Sequence, residues 1–201
     1  MLVLKRFLLD SVAARLSRFL TVETEFLTVY SLYSADGDYV TEEEWRHADE
    51  SDRLLKFGAF SGARPEFQLS PNLLTYLRFR TAFRDPKFAA FFEEVAGSPL
   101  GSIAFSVHAM RTGDFLRPHT DALENRRLAF VLYLSPHWPP RFGGALHVVD
   151  HRGKASEIDA EYNALVIFDV TAKTKHFIAP IEPVAGETRR LSLGGWIHQP
   201  E

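Results

Sequence analysis

From Leu100 onward the chain breaks into short apolar or alternating stretches separated by glycine, proline and polar residues. Ile103–Val107 alternates, Leu128–Leu134 is a nearly continuous apolar run, and Ala145–Val149, Ala164–Phe168, Thr174–Ala179 and Arg190–Ile197 follow. A strand with one wet face alternates between apolar and polar, whereas a strand buried on both faces reads as an unbroken apolar run. Several such segments with turn signals between them fold as a sandwich or a barrel. The pattern therefore predicts an antiparallel β-barrel, with Leu128–Leu134 covered on both sides.

The first half has a different texture. Asp10 and Ser11 are placed to cap a short helix presenting Val12, Leu16, Phe19 and Leu20 on one side. Thr21–Ser34 alternates, and part of it reads as a strand. Residues 35–53 are the most polar segment, and Thr41 with Glu44 has the capping-box spacing of a short exposed helix. The segment reads as a solvated acidic face, or alternatively as a lid over a site. Residues 71–96 read as two helices, the first opened by Pro71 and the second by Asp85-Pro86, before Gly97-Ser-Pro99 ends the helical half. The expected organisation is a single domain, 1–201, in which 1–99 is a mainly helical support and 100–198 is the β core. Helices should pack on the outer face of the barrel.

Composition removes several classes of function. With no cysteine among 201 residues, disulfides, thiolate zinc sites and cysteine nucleophiles are excluded. A formal net charge of −3, with no basic block, argues against nucleic acid or an anionic membrane as partner. The apolar start, Met1–Asp10, is interrupted by Lys5 and Arg6 and lacks a cleavage site, so a cytoplasmic protein is expected. No run approaches the ~20 apolar residues of a membrane span. The 17 phenylalanines point to an aromatic core.

The chemistry centres on Arg117-Pro-His119-Thr-Asp121. Side chains two apart on a strand face the same side, so His119 and Asp121 can grip one ion. His176, in a later strand segment, offers a third donor. Two imidazoles and a carboxylate form a facial triad, which leaves the other face of an octahedral Fe(II) open. A lone His-x-Asp pair is weak evidence, and its surroundings add the specificity. In order come Thr112–Leu116, His119-Thr-Asp121, Phe130–Leu134, Gly143–Leu146, Tyr162-Asn163, His176–Pro180 and Arg189–Trp196. Across residues 100–198 this series resembles the iron- and 2-oxoglutarate-dependent dioxygenases of the prolyl-4-hydroxylase-like superfamily.

The resemblance implies an α+β, mainly β fold with a double-stranded β-helix (jelly-roll) core. It implies Fe(II) on His119, Asp121 and His176, with 2-oxoglutarate as co-substrate and O2 as oxidant. It also implies that Arg190, six positions before Trp196, pairs with the distal carboxylate of 2-oxoglutarate. Arginine suits that role because its planar fork matches a carboxylate and stays charged. Ser192 should share the interior face with Arg190, and Arg189 should point outward. Tyr133 matches a position that hydrogen-bonds the same carboxylate, or is a core tyrosine satisfied elsewhere. The carboxylate of Asp121 argues against halogenation.

The chain departs from the family at Met110, where many relatives carry a tyrosine. His108, two residues earlier, reads as a satisfied strand histidine or as a pocket residue. His147 is not needed as a ligand, while Arg117, Arg126, Arg127 and Arg141 read as solvated. The function expected is hydroxylation of an unactivated C–H, releasing succinate and CO2. An amino acid or other small metabolite is preferred as substrate, because no peptide-binding domain is evident. The alternatives are a prolyl or peptidyl hydroxylase acting on a protein, and a cupin-like metal enzyme that does not use 2-oxoglutarate.

Overall fold

The computed structural model describes residues 1–83, 85–122 and 125–200. In chain order the strands and α-helices are β1 (Leu2–Leu4), α1 (Asp10–Arg18), β2 (Thr24–Leu32), α2 (Glu42–His47), β3 (Arg53–Ala63), α3 (Pro71–Ala82) and α4 (Pro86–Ala96). The second half supplies β4 (Ile103–Met110), β5 (Phe115–His119), β6 (Arg126–Tyr133), β7 (Leu146–Val149), β8 (Ala155–Ile158), β9 (Leu165–Asp169), β10 (Lys175–Ile178) and β11 (Arg190–His198).

The strands form one curled antiparallel sheet in the order β1-β9-β6-β11-β4-β3-β5-β10-β7-β8, with β2 added on β3. Within it, β4, β11, β6 and β9 make one wall, and β5, β10, β7 and β8 make the other. Strands distant in sequence are therefore neighbours, as in a jelly roll.

The two faces of the sheet bury separate clusters. Leu128, Phe130 and Leu132 of β6 point outward against Leu16, Phe19 and Leu20 near α1, Tyr76 and Phe79 of α3, and Phe92 of α4. The alternate residues Ala129, Val131 and Tyr133 point into the barrel beside Met110, Leu146, Val166 and Phe168. This double burial explains the unbroken apolar reading of β6. Phe83 sits at the centre of the outer layer, with Phe88 at 5.0 Å, Phe130 at 5.2 Å and Phe105 at 5.3 Å between ring centroids. The aromatic core expected from composition is this layer.

The helix boundaries follow their caps. The Ser70 hydroxyl accepts from the Leu73 N–H at 2.9 Å, and Asp85 accepts from the Lys87 N–H at 2.9 Å, each ahead of a proline at the first helical position. Thr41 and Glu44 form the expected capping box. For α1 the expectation fails. The N-cap is Leu9, with no side-chain cap, and Asp10 lies in the first turn, where it pairs with Arg6 at 3.2 Å.

The N-terminal half also contributes more strand than its sequence suggested. The strand β3 runs through Leu54-Leu-Lys-Phe-Gly-Ala-Phe60, where a lysine and a glycine blur any alternation. It pairs with β2 along one edge and with both β4 and β5 along the other. The short strands β1 and β8 lie at the two ends of the sheet order, where few residues are needed.

Candidate active site

His119 is the last residue of β5, and His176 lies in β10 as its direct cross-strand partner. Their rings face each other with centroids 4.2 Å apart. Asp121 lies two residues beyond the end of β5, so the pair projects from a strand end rather than from a continuous strand. The Asp121 Oδ1 is 3.5 Å from His119 Nε2, and its Oδ2 is 3.3 Å from His176 Nε2. One donor atom from each residue falls within 4.8 Å of the others.

The His119 ring is oriented by its other nitrogen, since Nδ1 lies 2.9 Å from the Arg117 carbonyl. A proton on Nδ1 donates there and leaves the Nε2 lone pair for an ion. His176 is buried, and Phe168 packs at 5.1 Å from it. Burial first, and then the like charge of His119, lower its pKa to about 4 against the pull of Asp121. Its imidazole is thus neutral near pH 7, the form that binds a metal.

Asp121 is held from behind. The Trp196 Nε1–H donates to Oδ2 at 2.7 Å, and Arg126 Nη1 lies 3.5 Å from Oδ1. The Arg126 guanidinium stacks 3.9 Å from the centre of the Trp196 ring. Burial opposes ionisation of Asp121. The His119 hydrogen bond, the two histidine charges and Trp196 together outweigh it and hold the pKa at about 2. Arg126 is therefore part of the site's support and not the solvated arginine expected. Two imidazoles and an ionised carboxylate, with donor atoms converging within 4.8 Å, suit Fe(II).

A second group lies deeper in the barrel. Arg190 is 1% exposed and has no ion-pair partner among the described residues. Its Nε and Nη2 lack hydrogen-bond partners, and Nη1 reaches only Met110 Sδ, at 3.7 Å. The guanidinium stands 4.8 Å from the centre of the Tyr133 ring, and the fully buried Tyr133 hydroxyl is also without a partner. Burial raises the Tyr133 pKa, with Arg190 opposing, so the phenol remains a donor. Gly144 makes room for this arrangement. It holds φ +72, and a Cβ there would come within 2.8 Å of Arg190 Cδ.

An unpaired buried cation is costly, by several kcal/mol. Three unsatisfied donors on two neighbouring side chains are what a carboxylate would satisfy. Ser192 is buried two residues further along the same face, and Arg189 is exposed, as expected. The donor set therefore fits both a facial-triad metal and a co-substrate carrying a remote carboxylate.

Residues 105–198 match the model of the 2OG-Fe(II) oxygenase superfamily. Nearly half of the chain is thus similar to the 2OG-Fe(II) oxygenases. That similarity implies Fe(II), 2-oxoglutarate and O2, and His119, Asp121 and His176 fit the iron. Among curated proteins, this chain is 34% identical over 120 residues to mouse (Mus musculus) prolyl 3-hydroxylase OGFOD1, covering 56% of this chain and 22% of the relative. It is 37% identical over 91 residues to the Xenopus laevis protein of the same name, covering 42% of this chain and 17% of that one. The chain thus matches only about a fifth of the length of these relatives.

Solved structures share the fold. A Pseudomonas putida prolyl-4-hydroxylase matches with a TM-score of 0.64 and 20% identity over 98% of this chain and 91% of that one. A Trichoplax adhaerens prolyl hydroxylase bound to a hypoxia inducible factor peptide fragment matches with a TM-score of 0.67 and 14% identity, over 98% and 83%.

The remaining candidates of the sequence fall outside the ligand group. His147 stacks flat on Phe177 at 4.3 Å. Arg127 pairs with Asp169 at 2.5 Å, and Arg141 lies over the Phe142 ring at 5.4 Å. Arg117 pairs with Glu50 at 3.4 Å. This last contact belongs to a seam that the sequence did not disclose. The Tyr33 hydroxyl donates to the Pro118 carbonyl at 2.9 Å, next to His119. The polar 35–53 segment, exposed through most of its length, is thereby tied to the strand that carries the first histidine.

Proposed function

We propose that this oxygenase hydroxylates a prolyl residue of a protein or peptide, with conversion of 2-oxoglutarate to succinate and CO2. The observation that carries the co-substrate reading is the buried, unpaired guanidinium of Arg190 beside the unsatisfied Tyr133 hydroxyl. Bound iron, with 2-oxoglutarate and dioxygen, supplies the oxidising power. His119, Asp121 and His176 hold the ion. Arg190, helped by Tyr133 and Ser192, takes the distal carboxylate and fixes the co-substrate's direction. Trp196 helps keep Asp121 ionised, and Arg126 lies against the same carboxylate. The closed wall of Val131, Val166 and Phe168 keeps water away from one side of the pocket.

The names of the similar curated proteins favour a prolyl substrate over the small metabolite preferred from sequence. Tyr33, Glu50 and Arg117 form a polar seam next to His119, and in this reading it is where the peptide backbone is met. The test is incubation with Fe(II), 2-oxoglutarate and a panel of proline-containing peptides, read by peptide mass and succinate. A 16-dalton gain on a prolyl residue is expected, and it should vanish in His119→Ala. Succinate release stimulated by free amino acids, with every peptide inert, would return the reading to a small-metabolite hydroxylase. Oxygen uptake independent of 2-oxoglutarate would favour a cupin-like enzyme.

A further inference from the structure

Three interior side chains stand in one row across the barrel wall. Tyr133 on β6 is the register partner of Ser192 on β11, and Ser192 is the register partner of His108 on β4. Neighbouring strands lie about 4.8 Å apart, so the row spans about 10 Å. Arg190 occupies the adjacent interior position of β11. The His108 ring touches Phe57, with centroids 4.5 Å apart, but makes no hydrogen bond among the described residues. The Ser192 hydroxyl makes none either. The satisfied strand histidine expected from sequence is not what the fold contains.

His108 is only partly exposed, and its pairing with Ser192 and its contact with Phe57 put it on the interior side of β4. Both the Arg190 cation and the Asp121 anion act on it. Burial and Arg190 keep it neutral. A neutral imidazole has one N–H to give, and here it stands on the same wall as the Ser192 hydroxyl, the Tyr133 phenol and the Arg190 guanidinium.

We propose that His108 is a co-substrate-positioning residue, whose N–H donates to a carboxylate oxygen of 2-oxoglutarate and closes the cradle from the β4 side. The proposal rests on the co-substrate reading above. Arg190 fixes one end of the dicarboxylate and His108 restrains how it lies across the barrel floor, so that the keto acid end meets the iron.

The experiment is calorimetric titration of 2-oxoglutarate into Mn(II)-loaded protein without oxygen, so that binding is measured without turnover. His108→Leu should weaken binding on the order of tenfold, the size of one hydrogen bond to a charged group. His108→Gln, which restores an N–H donor, should recover most of that loss. Mn(II) affinity and melting temperature should be alike in both variants. Arg190→Ala is the reference. If wild type does not bind 2-oxoglutarate, or Arg190→Ala binds it equally well, the co-substrate reading itself fails. If Arg190→Ala loses binding while His108→Leu binds as wild type, only the role of His108 is overturned. Equal losses in His108→Leu and His108→Gln would also overturn it, because they would report packing and not a hydrogen bond.

Discussion

The indole N–H of Trp196 donates to Oδ2 of Asp121 across 2.7 Å, linking the end of β11 to the carboxylate that completes the triad. The two residues lie far apart in sequence, and the curl of the sheet brings them together. A metal ligand held in this way loses affinity by about 10- to 100-fold when its outer partner is removed. Trp196→Phe keeps the ring under Arg126 and deletes only the donor. Fe(II) or Mn(II) affinity, measured by competition with a chelator, should fall within that range while 2-oxoglutarate binding to the loaded protein is largely retained.

Arg190 gives a prediction with opposite signs for folding and for function. Replacing an uncompensated buried charge with an apolar residue of similar length is neutral or stabilising by about 1–4 kcal/mol. Arg190→Met should therefore melt at the same temperature as the metal-free wild type, or higher. The rise in melting temperature that 2-oxoglutarate gives the metal-loaded wild type should disappear. A variant that is no less stable but blind to the co-substrate separates the two roles cleanly.

His108 makes the fold sensitive to acid. Its pKa is lowered to about 4 by burial first and then by Arg190, with Asp121 opposing. The unfolded chain takes up its proton near pH 6.5, before the folded one does. Stability therefore falls as pH drops from about 6.5 towards 4. Allowing for the partial exposure of the ring, the contribution is about 2 kcal/mol. Urea unfolding of metal-free protein at pH 7 and pH 4.5 should show a smaller acid loss for His108→Gln than for wild type.

Phe83 is fully buried at the junction of α3, α4 and β6, stacked on Phe88 and Phe130. Phe83→Ala should cost about 3–5 kcal/mol in denaturant unfolding, since the layered rings cannot collapse into the gap. Because Phe130 presents its neighbours Ala129 and Val131 to the opposite face, the damage should be to stability, with metal affinity per folded molecule unchanged.

What was legible in the sequence depended on how local the cause was. The capping box of Thr41 and Glu44, the prolines opening α3 and α4, and the two-sided burial of β6 are set by neighbours in the chain, and each is found where it was read. The β3 strand was illegible because Lys56 and Gly58 interrupt its apolar pattern, and its pairing partners lie elsewhere in the sequence. In the site, the triad and Arg190 were visible through ordered spacing. The grip of Arg126 and Trp196 on Asp121, and the idle imidazole of His108, exist only once β4, β6 and β11 are side by side. Sequence spacing indicates which residues carry chemistry, but it does not show which of them lack a partner.

The position of β3 bears on how the domain can be cut. Gly58 and Ala59 pair with β4, while Leu55 and Lys56 pair with β5, so this one strand laces the seam between the two walls. A fragment starting near Leu100 keeps every proposed ligand yet leaves those edges raw, and unpaired edges recruit other chains. The proposed metal ligands all lie in the second half of the sequence, but the strand edges beside them are covered by the first half.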